Sequence, residues 1–260
     1  MHRRSLIPLA LLFVALGSGA QAPDWKKIRI GVEGAYPPFS EIGADGQLKG
    51  FEIDLARAWC AQMKADCQLV QQEFDGLIPA LQARKIDVVV ASMSITEPRK
   101  RVIAFVGPYM HNPAHFVAKA GAPFTLTAAG LKGKRIGVQR STTHSTYIER
   151  TFPQSEIVRY ASQDQVFLDL KAGRVDLVLA DKVAIGLGFL AKPDGKGFAF
   201  VGPDIDDPVF GLGSGVGMRK ADAATLGPKF SAAMTALLAN GTFKTLNAKY
   251  FPYSIAPPSP

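Results

Sequence analysis

The stretch Asp87-Val88-Val89-Val90-Ala91-Ser92-Met93-Ser94-Ile95-Thr96-Glu97-Pro98-Arg99 constrains the fold more than any other part of the chain. Its run of valines, unbroken by a polar residue, fits a strand covered on both faces, and such strands belong to parallel sheets flanked by helices. The hydroxyls begin where the strand stops, at the edge where open α/β sheets bind ligands. Thr96 is a good N-cap, Glu97 suits the positive end of a helix, and Pro98 is tolerated in its first turn. Arg99 then lies near a helix N-terminus with its guanidinium aimed back at the loop. Ser92, Ser94, loop N–H groups and an arginine together make a receptor for a planar anion such as a carboxylate. A capped helix carrying a surface ion pair is the competing reading.

At 260 residues and 47% apolar content, the chain can build one large or two ordinary α/β domains. Its beginning reads differently. Met1-His2-Arg3-Arg4 is a basic head, Leu6 to Leu16 is a short apolar run, and Ser18-Gly19-Ala20 offers small residues for cleavage. This is the pattern of a secretory signal over residues 1–20, with cleavage after Ala20 favoured over Ala22 because of the neighbouring Pro23. The apolar run is short of the roughly 20 residues that span hydrocarbon. Removing Arg3 and Arg4 leaves 28 basic against 22 acidic residues, a net +6. The basic residues are scattered, which argues against a nucleic-acid partner. Export puts Cys60 and Cys67, the only cysteines, in an oxidising compartment, where the pair is expected to form a disulfide. Seven residues of continuous helix would hold them roughly 10 Å apart, too far to bridge, so the helix bearing Cys60 must end before Cys67.

Two α/β units follow in order. Ile28 to Val32 reads as a strand, with the loop Glu33-Gly34-Ala35-Tyr36-Pro37-Pro38-Phe39 at its carboxyl end. Asp45-Gly46 signals a hairpin, and Phe51, Leu55, Ala58 and Trp59 mark one face of a helix reaching about Lys64. Cys67 to Val70 is a second strand, and Phe74-Asp75 opens a helix through Leu77, Ile78 and Leu81 into the Asp87 strand. This is βαβαβ, which calls for a parallel sheet. Around Pro108 and Pro113 the pattern changes, as where a chain leaves one domain for another. The theme is then repeated: a strand over 135–138, the polar loop Gln139-Arg140-Ser141-Thr142-Thr143-His144 able to cap the next helix, a helix with Leu168 and Leu170, and a strand over 175–179 ending at Asp181. Phe210 to Met218 alternates glycine with larger residues and suits a closely approached strand returning to the first unit. It lacks the spacing of a dinucleotide fingerprint. Helices are expected over 221–238 and from Gly241 to Tyr250, with a disordered tail from Pro257.

The chain has no G-x-S-x-G, H-E-x-x-H or C-x-x-C pattern. His111 and His115 are separated by Pro113, which disfavours the helix that would make them a metal-ligand pair. His144 reads as a cap or a cleft wall, with a general base as the alternative, and Tyr36 and Phe74 as core or cleft aromatics. Anion receptors at Arg99 and at Thr142-Thr143, with carboxylates at Glu33 and Asp181, would all be satisfied by one zwitterion bearing a cationic side chain. Two acids facing each other in a closed cleft require cationic partners.

Gly50-Phe51-Glu52-Ile53-Asp54-Leu55-Ala56, Leu77-Ile78-Pro79-Ala80-Leu81, Ser94-Ile95-Thr96-Glu97-Pro98-Arg99, Leu131-Lys132-Gly133-Lys134 and Asp181 stand in the order found in a known family. On these motifs the chain resembles the periplasmic solute-binding proteins of polar and basic amino acid ABC transporters. The group comprises lysine/arginine/ornithine, histidine, arginine and opine binders. The resemblance implies a type II, two-lobed α/β fold with a hinge and an interlobe cleft. Residues 23–112 and 206–260 would form lobe 1, with lobe 2 inserted at 113–205. It implies a monomeric, non-enzymatic periplasmic receptor without a cofactor, serving a membrane permease and its ATPase. Arg99, with Ser94 and the Thr142 N–H, would hold an α-carboxylate; Asp181 and Ser92 an α-ammonium; Glu33 a distal cation. Tyr36 and Phe74 would sandwich the side chain. Ala91, Met93, Gln139 and Thr143 would complete the lining. Glu33 in place of the usual Asp, and Ala91 in place of Ser, look more like arginine or opine binders. Several basic amino acid binders carry a disulfide where Cys60 and Cys67 fall. Secreted cyclohexadienyl dehydratases, similar in fold, are the enzyme alternative, and a sensory or peptidoglycan-associated module is another.

Overall fold

The computed structural model describes residues 24–257. The expected signal segment and all but the first residue of the Pro-rich tail lie outside the described residues. None of the described helices is long and apolar enough to cross a membrane.

The first half begins with β1 (Lys27–Val32) and a small meander of β2 (Ala35–Tyr36), β3 (Ser40–Ile42) and β4 (Leu48–Lys49). Then come α1 (Phe51–Met63), β5 (Asp66–Gln71), α2 (Leu77–Gln82), β6 (Val88–Val89), the single-turn α3 (Glu97–Lys100) and β7 (Ala104–Met110). The second half holds β8 (Ala114–Lys119), β9 (Arg135–Gln139), α4 (Thr143–Thr151), β10 (Glu156–Tyr160), α5 (Gln163–Lys171), β11 (Leu177–Asp181) and β12 (Phe198–Ile205). The chain closes with β13 (Ser214–Met218), α6 (Ala223–Ala239) and α7 (Thr242–Tyr250).

Two five-stranded sheets result, ordered β5-β1-β6-β13-β7 and β10-β9-β11-β8-β12. In each, three strands run parallel through helical crossovers, as the βαβαβ pattern requires. The antiparallel neighbours are the strands that carry the chain between sheets: β7 and β13 in the first, β8 and β12 in the second. The same ionic device recurs on both. Arg29 on β1 grips Asp87 just before β6, at 3.0 and 2.8 Å, and Arg135 on β9 grips Asp176 just before β11, at 3.2 and 2.6 Å. Each aspartate also accepts the backbone N–H of its arginine. Parallel neighbours are thereby locked in register at their starts, leaving the opposite strand ends to carry the polar loops.

Local chemistry explains the edges of these elements. Gly50 precedes α1 at φ 128°, and a Cβ there would collide with the Phe39 carbonyl, so only glycine opens this helix. Lys64 ends α1 in the left-handed conformation (φ 53°), and the turn brings Cys67 back to Cys60, with their Cα atoms 6.1 Å apart in the disulfide. Phe51 and Trp59 on α1 are fully buried among Phe243, Phe251, Tyr109 and Phe230, in edge-to-face contacts of 5.0–6.0 Å. Burying each such ring stabilises the lobe by about 1.5–3 kcal/mol. The glycines of β13 serve close approach, for a Cβ on Gly215 would sit 2.7 Å from Ile95.

Three details bear on the strand-end loops, the second of them a departure from expectation. The helix after Thr96 is one turn long, because the chain must turn back at Val102 and Ile103 to enter β7. The strand expected over 175–179 is shifted two residues on, to Leu177–Asp181, so Asp181 is its last residue. The segment Ala184–Leu190 winds as a wider π-type helix, and its Gly188 packs on the Pro37 carbonyl of the other half.

Candidate functional site

The carboxyl ends of β1, β6, β9 and β11 converge on one narrow cavity, lined by Glu33, Tyr36, Phe74, Ala91, Ser92, Ser94, Arg99, Gln139, Thr142, Thr143, His144 and Asp181. All but one of the expected ligand-binding residues are there. The correction is Met93: its side chain is buried in the core with Phe74, Leu77 and Ile103. The chain bends at Ala91 and Ser92, and the Met93 side chain turns into the core while Ser92 and Ser94 line the cavity. Of the readings open to His144, the cleft wall is realised, for it belongs to the lining.

Ser92 adopts φ 49° and Ser141 φ 61°, so each polar loop places one serine in the left-handed region, a strain retained where surroundings enforce it. For Ser92 the enforcing group is Glu52 on α1, only 1% exposed. Its Oε1 accepts the Ser92 N–H at 2.7 Å and also the Tyr109 hydroxyl. Burial lifts the Glu52 carboxyl to about 7, against the pull of both hydrogen bonds. Glu52 falls within a family-like motif, yet its role is invisible in the sequence because nothing local links position 52 to position 92.

Arg99 is the third residue of α3, whose N-cap hydroxyl on Thr96 accepts the Arg99 N–H at 3.4 Å. A helix of four residues has little macrodipole, so anion affinity here rests on the guanidinium and the loop N–H groups. Nη1 donates to the Ser94 carbonyl at 3.0 Å and Nη2 to the Ser141 carbonyl at 3.2 Å, and the Phe74 ring lies 5.4 Å from Cζ. Two of the five N–H groups are thus spent on positioning, and three remain for an anion. Burial draws its pKa down to about 10, opposed by the charge of Asp181. The group stays cationic at neutral pH. On the facing loop, the Thr142 hydroxyl is consumed by capping: it donates to Gln139 O at 2.7 Å and accepts Ser145 N–H at 3.2 Å. Thr142 therefore offers the site its backbone rather than its hydroxyl.

Two carboxylates face the same space on separate anchors. The Tyr36 hydroxyl donates to Asp181 Oδ2 at 2.8 Å, and His144 Nε2 stands 3.4 Å from Oδ1. Glu33, 4% exposed, accepts a 2.6 Å hydrogen bond from Gln139 Nε2, which also donates to Ala161 O. Desolvation raises the Glu33 carboxyl to about 8, with the Gln139 bond pulling the other way. With Arg99 the only cation in the lining, the ionised cavity carries a net −1. Tyr36–Asp181, Glu33–Gln139 and Arg99–Ser141 each join residues borne by different sheets. So does Arg140, which pairs with Glu73 at 2.7 Å and Asp75 at 2.6 Å. Among the described residues no cluster of His, Cys, Asp and Glu is arranged to hold a metal ion.

Residues 28–253 match the family described as bacterial extracellular solute-binding proteins, family 3. The L-arginine-binding protein of Pseudomonas aeruginosa is 49% identical over 233 residues, spanning 88% of this chain and 90% of that one. The lysine/arginine/ornithine-binding periplasmic protein of Escherichia coli is 40% identical over 259 residues, spanning 97% and 98%. Among solved structures, a Salmonella typhimurium periplasmic binding protein described for high arginine specificity superposes with a TM-score of 0.80 at 34% identity, covering 86% of this chain and 99% of that one. Two α/β sheets joined by paired crossings, a cleft between them and these matches agree: the chain belongs to the bacterial extracellular solute-binding proteins, family 3, and has their two-lobed fold.

Proposed function

We propose that this protein is a monomeric periplasmic receptor that captures a basic amino acid, arginine foremost, and delivers it to the permease and ATPase of an ABC importer. The observation that carries the reading is the charge set of the cleft: one arginine against two separately anchored carboxylates. A ligand with one carboxylate and two cations brings the enclosed charge to zero, and buried charges are tolerated only when paired. Arg99 would take the α-carboxylate with the Ser94 and Thr142 backbone, Asp181 and Ser92 the α-ammonium, and Glu33 the side-chain cation. Tyr36 and Phe74 offer flat faces to a planar guanidinium. Ala91 and Thr143 contribute shape. Lobe 1 would comprise residues 23–112 and 206–260 and lobe 2 residues 113–205, closing about the two crossings. The arginine-binding and lysine/arginine/ornithine-binding relatives support binding over the dehydratase alternative.

Calorimetry on protein unfolded, stripped of carried ligand and refolded tests this directly. Arginine is expected to bind one-to-one and more tightly than lysine, ornithine or histidine, with glutamine far weaker; silence across the series would refute the assignment. Proton linkage gives a second check. In the closed, ligand-free form Glu33 holds a proton at pH 7, and a docked guanidinium favours the carboxylate. Binding at pH 7 should therefore expel close to one proton, visible as enthalpies that differ between phosphate and Tris buffers. Affinity should fall by up to about tenfold per pH unit below pH 8. Identical enthalpies in the two buffers would mean that Glu33 is already ionised.

A further inference from the structure

His144 is the second residue of α4 and is 8% exposed, yet its Nε2 has no hydrogen-bond partner. A buried ring nitrogen left unpaired costs free energy unless a ligand completes it. It lines the cleft and stands 3.4 Å from Asp181 Oδ1, a charge-pair distance when the ring is protonated but too poorly aligned for a hydrogen bond. The ring packs against Phe210 at 5.4 Å between centroids. Ser92 Oγ, in the same lining, is likewise buried and unpartnered. On Asp181 the Tyr36 hydroxyl occupies Oδ2, which leaves Oδ1 open. An ammonium docked on Asp181 selects the tautomer with the ring proton on Nδ1, in which Nε2 is an acceptor, and a serine hydroxyl accepts as readily as it donates. Asp181 Oδ1, Ser92 Oγ and His144 Nε2 thus border one cavity, and each can accept a hydrogen bond from a group placed there.

A primary ammonium carries three N–H donors, which matches that set. We propose that His144 is a specificity residue that supplies the third acceptor for a primary α-ammonium group, so that the cleft accepts free amino acids and rejects those whose α-nitrogen is alkylated. An alkylated nitrogen has two N–H groups and leaves one buried acceptor unpaired. A carboxyalkyl substituent fares worse. The next cavity on this side shares Ser94 and Asp181 with the cleft and is lined by Asp204, Asp206, Asp207, His111 and Phe210. A second carboxylate entering it meets acidic side chains. Asp204 is paired with His115 and Lys182, and Asp207 with Arg150, but among the described residues Asp206 has no such cation. The inference rests on the amino acid reading above, and it separates arginine from its carboxyalkyl conjugates, which the family resemblance leaves together.

The test is a titration of the wild-type protein with arginine, Nα-methylarginine and octopine, followed by the same series on His144→Leu and His144→Gln. Wild type should bind Nα-methylarginine about 10- to 100-fold more weakly than arginine, the range for one lost hydrogen bond to a charged group, and octopine more weakly still. His144→Leu should weaken arginine about tenfold while leaving Nα-methylarginine within about twofold, collapsing the discrimination, and His144→Gln should restore part of it through its amide oxygen. Equal wild-type affinities for the three ligands, or an equal loss for arginine and its N-methyl form in His144→Leu, would overturn the role of His144 while leaving the amino acid reading intact. A wild-type protein that binds none of the three would overturn that reading and this inference with it. The wild-type comparison needs no variant to fold.

Discussion

Replacing Arg99 with alanine is expected to reduce arginine affinity by about a thousandfold, because it strands a buried carboxylate without its counter-charge, a loss of roughly 3–5 kcal/mol. The side chain does two things at once. Three of its N–H groups are free for the ligand, while the other two tie the Ser94 carbonyl on one loop to the Ser141 carbonyl on the facing loop. The variant therefore loses both the ion pair and a strut that holds the closed form. Arg99 sits on a single helical turn that contributes no residue to the hydrophobic core, so thermal unfolding of the ligand-free variant should move by no more than a few degrees. Arg99→Lys keeps the charge but not the planar fork, and should retain part of the affinity. Calorimetric affinity within threefold of wild type for Arg99→Ala would remove the carboxylate role.

Glu33→Gln is the second large effect, and its signature is selectivity rather than loss. Arginine and lysine should weaken by about a hundredfold, since an unneutralised guanidinium or ammonium would be enclosed, while glutamine should be unchanged or bind better. The dependence of arginine affinity on pH below 8 should flatten in the same variant. Stability carries an opposite sign. Glu33 has a folded-state pKa near 8, above the ordinary 4.5, so the folded state binds the extra proton and stability is lost as pH rises through that window. The ligand-free Glu33→Gln variant should therefore match wild type near pH 4 and exceed it near pH 8. An equal loss of affinity for arginine and glutamine would contradict the contact assigned to Glu33.

Much of this is legible in the sequence because it is local. The valine run, the Thr96 cap and Arg99 predict a strand end, a turn and a helix start from residues adjacent in sequence, and the structure has all three. Polar loops at strand ends announce where an α/β sheet can bind, and the repeat of that pattern announces a second sheet. Cys60 and Cys67 demand a helix end between them, and Lys64 supplies it. Met93 departs from expectation because the chain bends at Ser92, and which side each neighbouring side chain takes is fixed only by core packing.

What the sequence by itself determined is the inventory: two βαβαβ units, a loop at each strand end, and a site with one guanidinium and two carboxylates. What only the tertiary structure decided is which of these groups are already spoken for. Gln139 reaches Glu33 across 106 positions and Tyr36 reaches Asp181 across 145, while Glu52 holds Ser92 in its strained conformation from another element. His144 becomes a candidate selector only because its nitrogen arrives beside Asp181 and finds no partner. Such facts depend on how two sheets lie against each other, and the free energy of that arrangement is a sum over long-range contacts that no window of adjacent residues contains.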